Sequence, residues 1–163
     1  MSSKPLAIRG VAHTPPPRGG GRSNRADLTR AEIDMTNLAG KPLLCEHDHS
    51  DRVGTVLASW KGRDGSLRIA ANIEEERAIA QVKRGEMRGL SLGTSMILGE
   101  DGNVAFRGQD ELSICSEGKR TGTWIDTMNG VPCVAVECCS KSTAGAKMRS
   151  TSAKMIWHPC TPK

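Results

Sequence analysis

Residues 88–96 read RGLSLGTSM, and Gly89-Leu90-Ser91-Leu92-Gly93 within them is a literal G-x-S-x-G. If Ser91 is the nucleophile elbow of an α/β-hydrolase, an apolar strand must run into it and a helix must start directly after it. The sequence offers neither. Before the motif stands VKRGEMR (82–88), the charged end of a helical pattern, and after it LGTSMIL (92–98) alternates as a strand does. The hydrolase order also demands an acid and then a histidine after the serine, yet the one histidine beyond Ser91 is His158, close to the last residue, Lys163. Ser91 is therefore expected on a strand, in a protein built mostly of strands.

The neighbouring segments read the same way. PLAIRGVA (5–12), KPLLCEH (41–47), RVGTVLASW (52–60) and SLRIAANI (66–73) carry strand patterns, with the polar DHSD (48–51) and GRDG (62–65) expected as turns between them. Beyond Ser91, VAFRG, ELSICS, TWIDT and VPCVAVECC are further short strands punctuated by GEDGN and GKRTG. Two helices are expected. ADLTRAEIDMTNLAG (26–40) has Asp27 as N-cap, apolar Leu28, Ile33 and Leu38, and Gly40 as its stop. EEERAIAQVKRGEM (74–87) has acids first, bases last and an Ala78-Ile79-Val82 stripe, which suits the helix dipole. TPPPRGGGRSNR (14–25) is a mobile loop, and residues from about 140 to 163 have the composition of a flexible tail. The expected architecture is one β-rich α+β domain over 1–163, a closed or nearly closed barrel with flanking helices.

Composition narrows the function. With 163 residues, 37% hydrophobic and 25% charged, the chain can bury a core. Three tryptophans, one phenylalanine and no tyrosine provide poor stacking platforms for single-stranded nucleic acid. The net charge of +5 is dispersed, much of it in Arg18, Arg22 and Arg25 and in Lys141, Lys147, Arg149 and Lys154, so no nucleic-acid partner is expected. No apolar run suits a signal peptide or a membrane span, so an intracellular protein with six reduced cysteines and no membrane partner is expected.

Acyl transfer by a serine needs a base, a group to orient that base, and donors for the oxyanion. LLCEHDHSDRVGTV (43–56) offers His47 and His49 as bases, since imidazole exchanges a proton near neutral pH. QDELSICS (109–116) offers Asp110 and Glu111 as orienting acids. EGKRTGT (117–123) offers Lys119 and Arg120 between glycines as oxyanion stabilisers. Ser95, an even number of residues from Ser91, shares its strand face but lacks the motif.

Three of these segments, PLLCEHDHSDRVGTVLA, GLSLGT and ELSICSEGKRTGTW, resemble in order the active-site segments of the herpesvirus maturation proteases (assemblins) and the related prohead proteases of tailed phages. In that family the base histidine precedes an apolar-Gly pair by the spacing seen from His47 to Val53-Gly54, so the resemblance selects His47 over His49. The serine lies in a Leu-Ser-Leu type segment, as Ser91 does. The third assemblin segment opens on a second histidine and runs to Gly-Arg-Arg-x-Gly-Thr. Here Glu111 takes the histidine's place, and Cys115, Gly118, Lys119, Arg120, Gly122 and Thr123 follow in register. An acid opening an E-x-S segment is similar to the phage enzymes.

The resemblance implies a serine endopeptidase without cofactor. Ser91 is the nucleophile, His47 the base and Glu111 its orienter, with Lys119 stabilising the oxyanion through its backbone N–H and Arg120 through its side chain. It implies viral scaffold and major capsid protein as substrates, cleaved inside the procapsid of an infected cell, in the nucleus if herpesvirus-like and in the cytoplasm if phage-like. Self-cleavage at STAGAKM (142–148) or STSAKM (150–155) and a homodimer are part of the same expectation, although no long amphipathic helix follows residue 124 to build the herpesviral dimer. Two other readings use the same residues. Cys45, His47 and His49 at i, i+2 and i+4, with Cys115, are chemically a zinc set. A capsid-assembly component that keeps the fold without catalysis is the third.

Overall fold

The structure is a computed structural model, and it describes residues 4–16, 27–118, 120–137 and 155–159. Nine strands and two short helices follow in the order β1 (Leu6–His13), α1 (Arg30–Met35), β2 (Pro42–Cys45), β3 (Asp48–Lys61), β4 (Leu67–Ile73), α2 (Glu76–Lys83), β5 (Gly89–Leu98), β6 (Val104–Cys115), β7 (Ile125–Met128), β8 (Val131–Glu137) and β9 (Met155–Pro159). In space the strands run β5-β6-β2-β3-β4-β1-β7-β8-β9. All neighbours are antiparallel except β2 and β6, which are parallel.

Alternation sets the layering. In β4, Leu67, Ile69, Ala71 and Ile73 point inward and are at most 1% exposed, and β1 buries Leu6 and Ile8 beside them. Leu43, Leu90, Leu112 and Ile114 extend this core beneath the β5-β6-β2 end. Burying each such side chain contributes about 1.5–3 kcal/mol. Helix α2 seals it with Ala78, Ile79 and Val82, the stripe read from the sequence, and Glu75 caps it by accepting from the N–H groups of Arg77 and Ala78.

The expected barrel is corrected: the sheet is open. Closure would need a ladder between the end strands β5 and β9, and the described residues form none; β5 instead meets the segment leading into β7 at one isolated bridge, Gly89 to Trp124. There Leu90 N–H donates to Thr123 O and Ile125 N–H to Arg88 O, after which β5 departs with β6 as a hairpin.

Four local expectations change as well. Helix α1 is six residues long and capped by Thr29, which forms a capping box with Glu32, instead of by Asp27. DHSD is the start of β3, not a turn. The chain reverses one step earlier, at Glu46 and His47, between the paired Cys45 and Asp48. VAFRG and ELSICS are one continuous strand, β6. Met155–Pro159, expected in the flexible tail, is a strand paired with β8. Most of the 14–25 loop and both expected self-cleavage segments, apart from Met155, lie outside the described residues.

Candidate active site

The β5–β6 ladder sets Ser91 opposite Ser113 and Gly93 opposite Glu111. Residues two apart on a strand share a face, so Ser91 and Glu111 lie on one surface, diagonally across two strands. The parallel pairing of β2 with β6 then brings the end of β2 to the same place, Cys45 opposite Ile114. His47 follows in the two-residue turn to β3, and both turn residues have positive φ, 49° for Glu46 and 62° for His47. This is the geometry of a type I′ hairpin turn, normally made by Asn or Gly. A side chain in that region costs about 1–2 kcal/mol. The turn is fastened on several sides: Glu46 N–H donates to Ile114 O (2.9 Å), Glu46 Oε1 accepts from Ser116 N–H (2.9 Å), and His47 N–H donates to Ser113 Oγ (3.1 Å).

From this turn the imidazole bridges the two strand residues. Its Nε2 lies 2.9 Å from Ser91 Oγ and its Nδ1 lies 2.5 Å from Glu111 Oε1. A carboxylate only accepts, so Nδ1 carries the proton and Nε2 accepts from the serine hydroxyl. Glu111 is 2% exposed and Ser91 4%, while the imidazole is 41% exposed, so the base can reach a solvent-side reactant and the acid cannot. Ser113 Oγ donates to the second oxygen of Glu111 at 2.8 Å.

The two glycines of the motif acquire a meaning unrelated to an elbow. A Cβ on Gly93 would overlap Oε1 of Glu111, and one on Gly89 would overlap the backbone at Glu117 and Gly118. One glycine makes room for the acid and the other for the turn after β6.

That turn is less complete. Lys119 lies outside the described residues. The side chain expected of Arg120 at the oxyanion is instead paired with Asp27, Nε to Oδ1 at 2.9 Å, while its carbonyl accepts from Thr123 Oγ1 at 2.7 Å. Asp27, expected to cap a helix, braces the turn.

The remaining candidates are elsewhere. His49 and Asp110 are exposed, Asp110 at a bulge that interrupts the β5–β6 register, and Ser95 is exposed beyond it, opposite Gly108. Cys45 is buried and its thiol is raised by that burial and then by Asp51. Burial likewise pushes Cys115 up to about 12, so neither thiol is an ionised nucleophile at neutral pH. Among the described residues no three His, Cys, Asp or Glu side chains are arranged to hold a metal, so Cys45, His47 and His49 do not form the zinc set. Sequence reasoning missed Ser113 as a site residue, although its position two residues beyond Glu111 on a strand was the available signal.

No protein-family profile matches the chain, and no curated protein matches it. Solved structures do. The protease of Kaposi's sarcoma-associated herpesvirus, in complex with a hexapeptide phosphonate inhibitor, superposes with a TM-score of 0.56 at 16% identity, covering 75% of this chain and 64% of that one. This chain has the herpesvirus-protease fold. The same protease in complex with a dimer disruptor gives a TM-score of 0.50 at 16% identity, over 75% of each chain. The resemblance carried by three sequence segments thus extends to the fold over three quarters of this chain. The chain spans just under two thirds of the length of the first of these structures.

Proposed function

We propose that this chain is a serine endopeptidase of the capsid-maturation type, and the observation that carries the reading is the unbroken chain of hydrogen bonds Ser91–His47–Glu111. Ser91 Oγ attacks the scissile carbonyl carbon as His47 Nε2 takes its proton. The tetrahedral oxyanion collapses, expelling the amine, which receives that proton from His47. Water then repeats the sequence on the acyl-enzyme, with His47 again the base. Glu111 stays ionised throughout and stabilises the imidazolium. The oxyanion is served by the turn after β6, with Lys119 contributing its backbone N–H and Arg120, braced by Asp27, its positive field.

A peptide substrate is supported by β5, which carries Ser91 and is an end strand of the sheet. Beyond the bridge at Gly89 its outer edge has no ladder partner among the described residues, so an extended peptide can pair there. In line with the fold, the substrates are scaffold and major capsid protein segments within a procapsid, with the chain's own C-terminal segments as further sites. The dimer disruptor bound to the similar protease supports a homodimer for this chain too.

Labelling with a fluorophosphonate probe tests the reading, a choice suited to a fold whose solved member binds a peptide phosphonate. An adduct located on Ser91 by peptide mass spectrometry, and absent from His47→Ala, is the expected result. No adduct on wild-type protein would turn the reading to a capsid-assembly component without catalysis.

A further inference from the structure

We infer that Ser113 is a positioning residue whose one hydroxyl sets both the backbone of the base and the carboxylate that orients it. Three observations converge on it. Ser113 is fully buried, at 0% exposure, on the same strand face as Glu111 and directly opposite Ser91. Its Oγ donates to Glu111 Oε2 at 2.8 Å. The same Oγ accepts the backbone N–H of His47 at 3.1 Å, from a residue held at φ 62°.

A hydroxyl has one proton, and here it is committed to the carboxylate, so a lone pair of the same oxygen is left for the N–H of His47. The arrangement is thereby determined at each end. Holding Oε2 fixes the rotation of the carboxyl group and leaves Oε1 aimed at His47 Nδ1. Gly93 bars the alternative in which a side chain fills that space, because only a missing Cβ leaves room for Oε1. Holding the N–H of His47 keeps the left-handed turn from relaxing, and so keeps the ring between Glu111 and Ser91. Without the hydroxyl, a buried carboxylate oxygen and a backbone N–H would lose their partner together, and the turn would stay tied to β6 only through Glu46, at Ile114 and Ser116, leaving the His47 backbone itself unheld. Two segments 64 residues apart, joined by the His47–Glu111 bond, are thus registered by a third group whose hydrogen bonds go to the base and the acid and not to the nucleophilic oxygen.

This inference deepens the proposed function and rests on it for the rate effect, but its geometric content is independent of activity. The test uses the whole chain labelled with ¹⁵N-histidine. The 2.5 Å bond from Nδ1 to Oε1 should give a strongly downfield proton resonance, identified by its loss in His47→Ala and in Glu111→Gln. In Ser113→Ala this resonance is expected to move upfield or to broaden by exchange, with the amide map otherwise that of the folded protein. The probe-labelling rate at Ser91 is expected to fall about 10- to 100-fold, the range for a hydrogen bond to a charged group. Should Ser113→Ala not fold, Ser113→Cys keeps the shape, weakens the donor and reads the same upfield shift. A downfield resonance that stays in place in the folded variant overturns the inference, as does its absence from wild-type protein. If the resonance moves as expected while wild-type protein takes no probe, the positioning role stands and the hydrolase reading falls.

Discussion

The β5–β6 hairpin is one ladder that a bulge at Asp110 divides into two unlike halves. From Gly89 to Gly93, and from Glu111 to Cys115 opposite, the residues are buried or nearly so, and all the strand-borne groups of the candidate site are there. Beyond the bulge at Asp110, Met96, Ile97, Leu98 and Phe106 stand in solvent, Ile97 62% exposed opposite Phe106 at 57%. Strand propensity is as high in the upper half as in the lower. What differs is that the lower half has β2 beside it and the core beneath, whereas the upper half has lost β2 as a neighbour and keeps one deep anchor, Arg107, whose buried guanidinium reaches Glu32 and the carbonyl of Asp27. Pairing makes the strands; being flanked makes a site rigid enough for chemistry.

The comparison breaks first at Glu111. Replacing it with Gln keeps the shape but removes the charge and one of the two acceptor oxygens that His47 and Ser113 use, and the acylation rate is expected to fall about 10⁴-fold in a folded protein. A rate near that of wild type, followed by probe labelling, would remove the lower half's claim to be the site. Next, Leu90→Ala or Leu112→Ala, both at 0% exposure, should each lower the unfolding free energy by about 2–5 kcal/mol in urea titrations. Gly93→Ala sharpens the point within the lower half: its methyl must displace the Glu111 carboxylate, and a misplacement of that kind is expected to cost about 100-fold in rate while leaving KM largely unchanged.

A pH experiment probes the covered side of the upper half. His13, beside Arg107 and Arg120, accepts the N–H of Leu28 through Nε2 at 3.0 Å, which requires a neutral ring. Burial foremost, with Arg120 and Arg107, lowers its pKa, against the opposing effects of the Thr14 carbonyl and Asp27. The unfolded chain takes up the proton first. This contribution to stability is therefore fully present above pH about 6.5 and is lost as pH falls through the lowered folded value. Stability measured between pH 7.5 and 5 should decline in wild type and decline less in His13→Gln. The smallest effect belongs to the exposed residues: Ile97→Ser and Phe106→Ser are expected to change stability by no more than about 0.5 kcal/mol, and a larger loss would mean that the upper half is packed after all.

What the sequence made legible divides along the same line as the hairpin. Residue chemistry alone offered Ser91 beside Ser95, His47 beside His49 and Glu111 beside Asp110, and it was the resemblance of three segments that selected among them, whereas α2 was readable because its charge order and apolar stripe agree. The reversal at Glu46-His47 was not readable, because neither residue favours positive φ and the turn is held by partners far along the chain, at Ser113, Ile114 and Ser116. DHSD has turn chemistry, but its polar residues are polar because the start of β3 is open to solvent. Asp27 looked like a cap since Asp is a good one; its carboxylate is needed at Arg120, and Thr29 with Glu32 supplies the capping. The barrel failed for a related reason: alternation counts strands but does not say whether the last will find the first.

Trp124 gives the site an optical handle. It lies at the bridge that joins the turn after β6 to the start of β5, and the residue is 44% exposed. The chain has two other tryptophans, Trp60 and Trp157, and no tyrosine to complicate the emission. A protein with Phe at positions 60 and 157 would have a single emitter, two residues along the chain from Gly122 and in register with Gly89. Its wavelength and quenching would follow the seating of the turn in real time, in the same cuvette in which Ser91 is being acylated.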